Sequence, residues 1–555
     1  MPTPSHGELS RFSGIPQAFE ETARRFSGRV ALTGDGGRGR AYTYQEVLEL
    51  VRALGASLNL REFRKETEIG VLSENRPEWP IAYFGILAAG KTVVPIDANL
   101  KPNEIEYIIE HAGLKVIFCS GRFEGMLAGF NRKLKLLSFE QTSRHSWHRL
   151  LDQTANMQIE PPSSTAVLIY TSGTTGTPKA VELTHQNLLS NVESIQLSLH
   201  FDEDDIFLSV LPLHHTFEAT CGFLVPLLTG ASIVYARSLK SREILEDISY
   251  SHATVMCGVP LLWEKFNDSI VRKIREAPMG RRMMFQVLYS LSSVGWRFGR
   301  KWGRRFFRPL REKGGLDSIR IMVSGSAPLA QRIARFFNLI GFDFLEGYGL
   351  TEAAPVLSAN RPEDIRFGSV GPPLVGVDIR IADPDETGIG EITARGGNVT
   401  PGYRGNAEYT AKLVREGWLH TGDLGCIRDG HLYITGRARN LIVSAAGKNI
   451  YPEELEEKLT ASPFVLETLV FGRKRENRQG EEVRALIVPD IERFHERFSV
   501  DVDNPDMSRV ESVIEEEVGK VNKEIATYKR IAGFEIQLSE LEKTSTKKVK
   551  RFVYN

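Results

Sequence analysis

The sequence lacks long apolar runs. No stretch reaches the roughly eighteen uninterrupted apolar residues that a membrane-spanning helix needs. The nearest candidate, residues 221–236, is interrupted by Thr229, Gly230 and Ser232, and it predicts a buried helix followed by a strand. Residues 1–19 also lack a basic region followed by an apolar region, so they do not have the pattern of a signal peptide. We therefore expect a cytoplasmic protein.

Cysteine is scarce, and neither sign of charge is in excess. Cys119, Cys221, Cys257 and Cys426 are scattered without the spacing of a metal site or a disulfide framework. Lys and Arg together number 70, as do Asp and Glu, and this zero net charge gives no global attraction to nucleic acid or to a membrane. We expect no nucleic acid partner. With 555 residues the chain is too long for a single hydrophobic core, so we expect at least two domains.

Strand-like apolar runs alternate with helical patterns along most of the chain, which predicts the α/β class with layered, largely parallel sheets. From about residue 372 to 434 the pattern changes to short strands and turns, which indicates a small β-barrel-like unit. A new hydrophobic pattern begins at Leu441. We therefore predict a large domain over residues 1–438 and a small α+β domain over 439–555. The predicted strands include 68–72, 91–96, 114–119, 206–211, 232–235 and 254–258, and the predicted helices include 44–58 and 103–112.

A loop rich in glycine and hydroxyl groups carries the strongest chemical signal. It follows a predicted buried strand over 166–170 and precedes a predicted helix start at residue 184. Glycines let backbone amides approach a polyanion, hydroxyls add donors, and Lys179 supplies a positive charge. Because Lys179 is followed by Ala180, the loop is not a Walker A motif. The pattern predicts a nucleotide phosphate site made by Thr171, Ser172, Gly173, Thr174, Thr175, Gly176 and Lys179.

This loop resembles the phosphate-binding signature of the AMP-forming acyl-CoA synthetases, within the adenylate-forming superfamily. Three further stretches are similar to motifs of that family and occur in the family's order. They read Gly-Tyr-Gly-Leu-Thr-Glu at 347–352, Thr-Gly-Asp-Leu-Gly at 421–425 with Gly-Arg at 436–437, and Thr-Ser-Thr-Lys-Lys at 544–548. The resemblance implies ATP, Mg²⁺ and coenzyme A as cofactors or co-substrates, and a C-terminal domain that moves as a lid.

The resemblance also implies roles for individual residues around the nucleotide. Glu352 and Thr171 are expected at Mg²⁺, and Thr351 at the α-phosphate. Asp423 suits the two ribose hydroxyls, since an ionised carboxylate accepts two hydrogen bonds, and Arg437 is the second ribose and phosphate contact. The adenine is expected to lie against Ser326, Ala327, Gly347, Tyr348 and Gly349.

Three further residues are assigned to the reacting groups by the same resemblance. Lys548 is the expected catalytic lysine, although the family has glycine where this chain has Lys547. Gly447 is expected to line the passage for the pantetheine arm of coenzyme A, just beyond a hinge at Arg439. His215 matches the position that contacts the acyl carboxylate, while the alternative for a lone histidine is a structural role. Arg439 and Asn440 depart mildly from the residues that are frequent at the hinge.

The segment 271–315 bears on the substrate, because it is similar to the corresponding region of long-chain fatty acyl-CoA synthetases. It is dense in Arg and Lys interleaved with Met, Phe and Trp. Basic residues with aromatics at helical spacing are typical of a helix on a membrane surface, and the alternative is a solvated basic face. We expect a fatty acid and coenzyme A as small-molecule partners and peripheral contact with the inner face of a membrane.

The resemblance implies an AMP-forming acid–thiol ligase. It would activate a medium- to long-chain fatty acid to acyl-AMP with release of pyrophosphate, and then transfer the acyl group to coenzyme A. The alternatives are a fatty acyl-AMP ligase that loads an acyl carrier protein, a ligase for another acid such as an aryl acid, and a luciferase-like oxygenase. A nucleotide-sensing protein without turnover is a further class, which the retained Thr351, Glu352 and Lys548 disfavour.

Replacement of Lys548 tests the assignment of the C-terminal motif. Lys548→Ala should slow acyl-AMP formation by about 100-fold or more, because it removes a positive charge that stabilises charge developing in the transition state. It should leave thioester formation from supplied acyl-AMP intact. Rapid-quench measurement of the two half-reactions checks this, with Lys547→Ala as the matched control. Equal losses in both half-reactions, or a severe effect at Lys547 instead, would contradict the assignment.

Overall fold

The computed structural model describes residues 8–60, 62–130, 133–151, 159–171, 178–444, 448–474, 480–543 and 549–554. Most of the predicted phosphate loop (Ser172, Gly173, Thr174, Thr175 and Gly176), together with Gly447 and Lys548, lies outside these residues. The chain divides into two compact units. The first comprises residues 1–379 and 394–419, and the second comprises 380–393 and 420–555.

The first unit contains fourteen of the α-helices found in the described residues. Within that part of the chain, none is long and apolar enough to cross a membrane. They are α1 Ile15–Arg25, α2 Tyr44–Leu58, α3 Glu78–Ala88, α4 Pro102–His111, α5 Gly121–Ala128, α6 His185–Leu199, α7 Val225–Thr229, α8 Ser241–Ser251, α9 Pro260–Glu276, α10 Met279–Arg297, α11 Gly303–Phe306, α12 Arg308–Gly314, α13 Gln331–Leu339 and α14 Ala407–Leu413.

Two large sheets organise the first unit. Among the described residues, one has the strand order β14-β13-β12-β11-β9-β10-β1-β2 and the other has the order β17-β8-β7-β4-β3-β5-β6. Most neighbours are parallel, while the edge pairs β13–β14, β1–β2 and β8–β17 and the pair β7–β8 are antiparallel. The strands are β1 Val30–Thr33, β2 Ala41–Thr43, β3 Glu68–Leu72, β4 Thr92–Ile96, β5 Val116–Cys119, β6 Lys135–Ser138, β7 Val167–Thr171, β8 Lys179–Leu183, β9 Ile206–Ser209, β10 Ser232–Tyr235, β11 Val255–Gly258, β12 Ile321–Ser324, β13 Asp343–Gly349, β14 Val356–Ala359 and β17 Gly402–Tyr403.

Antiparallel strands form a smaller third sheet, with the order β15-β16-β19-β18 and β20 paired to β19. It corresponds to the predicted barrel-like unit, and several of its strands continue from one compact unit into the other. Its strands are β15 Val377–Ala382, β16 Gly390–Gly396, β18 Val414–Arg415, β19 Trp418–Arg428 and β20 His431–Arg437.

The rest of the second unit is the predicted α+β fold. A ribbon of β21 (Ile442–Val443) and β22 (Asn449–Ile450) precedes the sheet of β23 (Val465–Lys474), β24 (Glu481–Pro489) and β25 (Gly533–Ile536). Its core packs the sheet against α15 (Pro452–Thr460), α16 (Ile491–Phe498) and α17 (Met507–Glu524), through residues such as Leu455, Phe494 and Ile514. Residues 420–438 group with this unit by their contacts, and the division at 438/439, which rests on the change of sequence pattern, stays a prediction.

Local sequence signals explain the best-matched elements. Thr43 and Glu46 form a reciprocal capping box at the start of α2, so this helix begins and ends where the pattern predicts. Thr184 and Asn187 cap α6 in the same way, immediately after the β7–β8 hairpin. Strands β3 and β4 are buried along nearly their whole length, as expected for parallel strands covered on both faces.

A buried carboxyl group lies behind strand β9. Glu218 begins a π-helical segment, Glu218–Leu224, and accepts a hydrogen bond from Ser209 Oγ at 2.5 Å. Its other oxygen has no hydrogen-bond partner among the described residues. Burial raises the pKa of Glu218 to about 8, so this carboxyl group is protonated at neutral pH.

The Glu218 carboxyl group makes the stability of the fold depend on pH. An unfolded glutamate titrates near pH 4.3, well below the pKa of about 8 in the folded protein. The contribution of Glu218 to the free energy of unfolding is therefore fully present below about pH 4.3. It is lost progressively as the pH rises toward 8, because the unfolded state then gains by releasing the proton. Glu218→Gln stays neutral, so it should match the wild type near pH 4.5 and resist urea better at pH 8. Each tenfold difference in proton affinity corresponds to about 1.4 kcal/mol.

Urea unfolding midpoints at the two pH values check this, with the exposed Glu363→Gln as the control. A Glu218→Gln variant that is equally or less stable than the wild type at pH 8 would contradict the protonated state of Glu218.

Candidate active site

The predicted catalytic pair Thr351 and Glu352 lies in a tight turn at the end of β13. Gly349 ends the strand, and a Cβ atom there would lie 1.9 Å from the Pro355 carbonyl oxygen, so no other residue fits without a shift of the chain. Thr351–Ala353 then form one 3-10 turn. Both side chains are partly exposed. The turn therefore presents a hydroxyl and a carboxylate at the carboxyl end of the sheet, where ligands bind in open α/β folds.

Buried asparagine side chains hold this turn in place. Asn398 donates to the carbonyl oxygens of Ala353 at 2.8 Å and Val356 at 3.2 Å. Asn191 exchanges two hydrogen bonds with the backbone of Val356, and Asn187 donates to the carbonyl oxygens of Gly397 and Val399. Because a side-chain amide both donates and accepts, these residues satisfy backbone groups within the turn and at the strand end beside it.

Glu352 has a tyrosine partner that the sequence pattern did not indicate. The Tyr403 hydroxyl donates to Glu352 Oε1 at 2.6 Å. Burial raises the pKa of Tyr403, and the neighbouring Glu352 carboxylate raises it further, so the hydroxyl remains a donor. The Thr400 backbone amide also donates to the Glu352 carbonyl oxygen at 2.8 Å. The carboxylate is thus oriented through Oε1, and none of the described residues donates a hydrogen bond to its other oxygen.

Lys179 lies in the same part of the first unit. It begins β8, where it is the register partner of Thr171 on β7. Its Nζ lies 3.4 Å from the centre of the Tyr409 ring and 5.5 Å from that of Tyr403. Burial lowers the pKa of Lys179, and the Glu352 carboxylate opposes this effect. The two tyrosine rings therefore hold the Lys179 ammonium group, and its charge interacts with that of Glu352, the predicted metal ligand.

Two histidines and a threonine follow β9 in the chain, and the threonine contacts Thr351. Thr216 Oγ1 donates to Thr351 Oγ1 at 3.2 Å. His214 Nε2 lies 3.2 Å from Asp97 Oδ1, and the rings of His214 and His215 are 4.2 Å apart. One side-chain ligand atom each from Asp97, His214 and His215 lies within 4.8 Å of the other two. His215, which is predicted to contact the acyl group, therefore lies beside His214 and immediately before Thr216 in the chain.

The predicted adenine residues differ in accessibility. Ser326 and Ala327 are exposed after β12, and Ser326 has a positive φ of 73°. Gly347 and Tyr348 lie within β13, paired with β14, and Tyr348 is buried at 8% exposure. Ser326 and Ala327 are thus open to a ligand, whereas most of the Tyr348 ring is already covered.

The predicted ribose residues meet within the second unit. Asp423 and Arg437 are register partners on β19 and β20, and Arg437 Nε lies 3.0 Å from Asp423 Oδ1. The Gly422 amide donates to Glu391 at 3.0 Å, which fixes the preceding turn. Asn440, the departure at the predicted hinge, donates to Glu453 Oε1 at 2.8 Å, so it has a defined structural partner.

The residues present fit a magnesium ion. Mg²⁺ is typically held in proteins by one or two carboxylates, with water and substrate phosphates completing its coordination. Glu352 offers one oriented, partly exposed carboxylate. Thr171 is partly exposed at the end of β7, and its role as a metal ligand stays a prediction.

Solved structures share this fold over the whole chain. The anthranilate CoA ligase AuaEII in complex with anthranoyl-AMP superposes with a TM-score of 0.77 at 22% identity, covering 100% of this chain and 97% of that one. Identity at this level shows the fold alone. The fold is therefore that of adenylate-forming ligases, as the motifs predict.

Family and sequence comparisons identify the class of protein. The AMP-binding enzyme family matches residues 19–404, and the AMP-binding enzyme C-terminal domain matches 454–548. The chain belongs to the AMP-binding enzyme family. It is 30% identical to "Long chain acyl-CoA synthetase 1" of Arabidopsis thaliana, over 81% of this chain and 74% of the relative. It is 28% identical to "Fatty acyl-CoA synthetase A" of Dictyostelium discoideum, over 86% of this chain and 77% of the relative.

Tyr403→Phe tests whether the tyrosine orients a metal ligand. Loss of the hydroxyl should raise the Mg²⁺ concentration for half-maximal pyrophosphate release by about 10-fold, since partners of metal ligands are typically worth 10- to 100-fold in affinity. Tyr409→Phe is the matched control, because it keeps the ring that contacts Lys179. An unchanged Mg²⁺ requirement in Tyr403→Phe, or the same shift in both variants, would contradict this role.

Proposed function

We propose that this protein activates a medium- to long-chain fatty acid with ATP and transfers the acyl group to coenzyme A. The observation that carries the proposal is the Thr351–Glu352 turn. The Tyr403 hydroxyl donates a hydrogen bond to the Glu352 carboxylate, and the charge of Lys179 interacts with that carboxylate. Relatives named as long-chain or fatty acyl-CoA synthetases support the choice of acid.

The first half-reaction must overcome repulsion between two anions. The fatty acid carboxylate attacks the α-phosphorus of ATP, an O–P bond forms, and the bond to pyrophosphate breaks. Lys179 and the Thr351 hydroxyl would stabilise the negative charge on the phosphate oxygens. Glu352, with Thr171, would hold Mg²⁺, which supplies charge neutralisation when bound. Asp423 and Arg437 would hold the ribose, and Ser326 and Ala327 would border the adenine.

The second half-reaction transfers the acyl group. The sulfur of coenzyme A attacks the acyl carbon, the thiol loses its proton, and AMP leaves with the former carboxylate oxygen. His215 is proposed to contact the acyl group, as the carboxylate in the first step and as the acyl carbonyl in the second, and Asp97 and His214 limit the positions of its ring. Lys548 in the first step and Gly447 beside the pantetheine arm remain part of the proposal from the motifs.

Two alternatives concern the acid and the acceptor. An aryl acid is the alternative substrate, since a structural neighbour is an anthranilate CoA ligase. An acyl carrier protein is the alternative acceptor, and it would receive the acyl group on the same kind of thiol.

We also propose peripheral membrane contact through residues 271–315, as a source of poorly soluble acid. The basic residues of this segment differ in their contacts. Lys301 Nζ lies 2.5 Å from Asp343 Oδ1, Arg304 also pairs with Asp343, and that aspartate is buried. These two cations therefore serve the fold, and a surface for lipid must use other residues of the segment.

An acid panel tests the proposed reaction. Pyrophosphate release should rise with chain length from acetate to palmitate, and acyl-CoA should form only when coenzyme A is present. Benzoate and anthranilate should be poor substrates, and an acyl carrier protein should not replace coenzyme A. Mass spectrometry of the products and a coupled pyrophosphate assay provide the readouts.

Glu352→Gln is the background control, because it keeps an oxygen for Tyr403 but removes the charge at the metal position. Preference for an aryl acid, or acylation of the carrier protein in place of coenzyme A, would replace the proposal by the corresponding alternative. Release of pyrophosphate that is unchanged in Glu352→Gln would contradict the assigned site.

A further inference from the structure

Helix α10 (Met279–Arg297) has two apolar faces, of which only one is covered. On the inner face, the ring of Phe285 lies 5.1 Å from that of Phe307, and Trp296 stacks on Phe367 at 5.2 Å. Ser292 Oγ donates to the Leu339 carbonyl oxygen at 2.7 Å. These contacts fix the helix to the first unit, so its outer face has a defined orientation.

The outer face is apolar and exposed along its whole length. Its large side chains are between 43% and 75% exposed, and they occupy an arc of about 140° when 3.6 residues make one turn. Contiguous exposed apolar surface of this kind marks an interaction site. The residues of this outer face are Met279, Met283, Met284, Val287, Leu291 and Val294, with Phe298 directly after the helix.

The charges around the outer face are of one sign. Residues 277–311 contain nine Arg or Lys and no Asp or Glu, in a chain whose net charge is zero. Lys301 and Arg304 pair with Asp343, and Arg308 pairs with Glu312. In contrast, the exposed arginines of α10 and of the residues that follow it have no ion pair to any described residue: Arg281, Arg282, Arg297, Arg300 and Arg305.

We infer that the outer face of α10 docks on an anionic lipid bilayer, with its apolar side chains inserted among the acyl chains and its flanking arginines at the headgroups. An apolar helix face bordered by arginine is the composition of helices that lie in the membrane interface. Unpaired surface arginines are attracted to anionic lipid, whereas a second copy of this chain would bring the same positive charges together. Charge therefore favours the bilayer over self-association.

The inference rests on the proposed function only in giving the docking a purpose. A fatty acid partitions into the bilayer, so an enzyme held there meets its substrate at high local concentration. Docking itself depends on α10 and not on any residue assigned to the nucleotide or acyl group. The two proposals can therefore fail separately.

Vesicle sedimentation of the full-length protein tests the inference. The probes are vesicles of phosphatidylcholine alone and of phosphatidylcholine mixed with phosphatidylglycerol. The wild type should pellet with the mixed vesicles, and binding should weaken with salt, since exposed charges are screened beyond about 10 Å at 0.1 M. Arg281→Gln, Arg282→Gln and Arg297→Gln together should lower partitioning about 100-fold, from about 1 kcal/mol for each charge.

A second variant removes the apolar contact and keeps the charge. Met283→Gln, Val287→Gln and Leu291→Gln together should reduce binding to both kinds of vesicle by at least 10-fold. The matched control, Leu239→Gln with Val502→Gln, changes exposed apolar residues elsewhere and should bind like the wild type. Urea midpoints equal to that of the wild type verify that the variants are folded.

The outcomes separate the possible occupants. Wild-type protein that does not pellet with mixed vesicles, or a triple apolar variant that still pellets fully, overturns the inference. A wild-type dimer that the apolar variant converts to a monomer, without vesicle binding, would assign the face to a second copy of the chain. Acyl-CoA formation from soluble octanoate is measured in parallel. Vesicle binding without this activity would contradict the proposed function and leave the docking surface standing.

Discussion

The hydrogen bonds that fix the turn after β13 are the constraint on which the candidate site depends. Thr351 and Glu352 lie where the chain leaves a regular sheet, and such backbone must find other partners or lose about 1–3 kcal/mol for each buried group left unsatisfied. Asn398 and Asn191 supply those partners for Ala353 and Val356. The Thr400 amide does so for Glu352 itself. The segment that carries Asn398 and Thr400 also carries Tyr403, so one stretch of chain fixes both the backbone and the carboxylate of the turn.

That stretch also connects the two large sheets of the first unit. Tyr403 belongs to β17, which pairs with β8 of the second sheet, while its hydroxyl reaches Glu352 at the end of β13 in the first. Lys179 begins the same strand β8, and Tyr403 and Tyr409 both lie over its cation. The anionic and cationic groups proposed for phosphate chemistry are thus positioned by strand pairing in the first unit.

Sequence patterns predicted the elements well where the signal is local. The patterns over 44–58 and 232–235 predicted a helix and a strand with the observed bounds. Strand ends such as 206–211 were predicted too long, because the apolar run continues to Leu211 while the strand ends at Ser209. Tyr403, Asn398 and Thr216 could not be found this way, since their bonds join residues far apart in sequence. The basic segment shows the same limit, because composition does not reveal that Lys301 and Arg304 hold Asp343 while α10 exposes an apolar face.

The central claim is that the acid becomes an adenylate before it becomes a thioester, and the fate of the carboxylate oxygens tests it most directly. A turnover with fatty acid labelled with ¹⁸O in both carboxyl oxygens, ATP and coenzyme A would be analysed by mass spectrometry of the nucleotide and pyrophosphate. If the carboxylate attacks the α-phosphorus and the sulfur then breaks the acyl C–O bond, AMP must carry one labelled oxygen and pyrophosphate none. Label in pyrophosphate or orthophosphate, or AMP without label alongside acyl-CoA formation, would contradict the account.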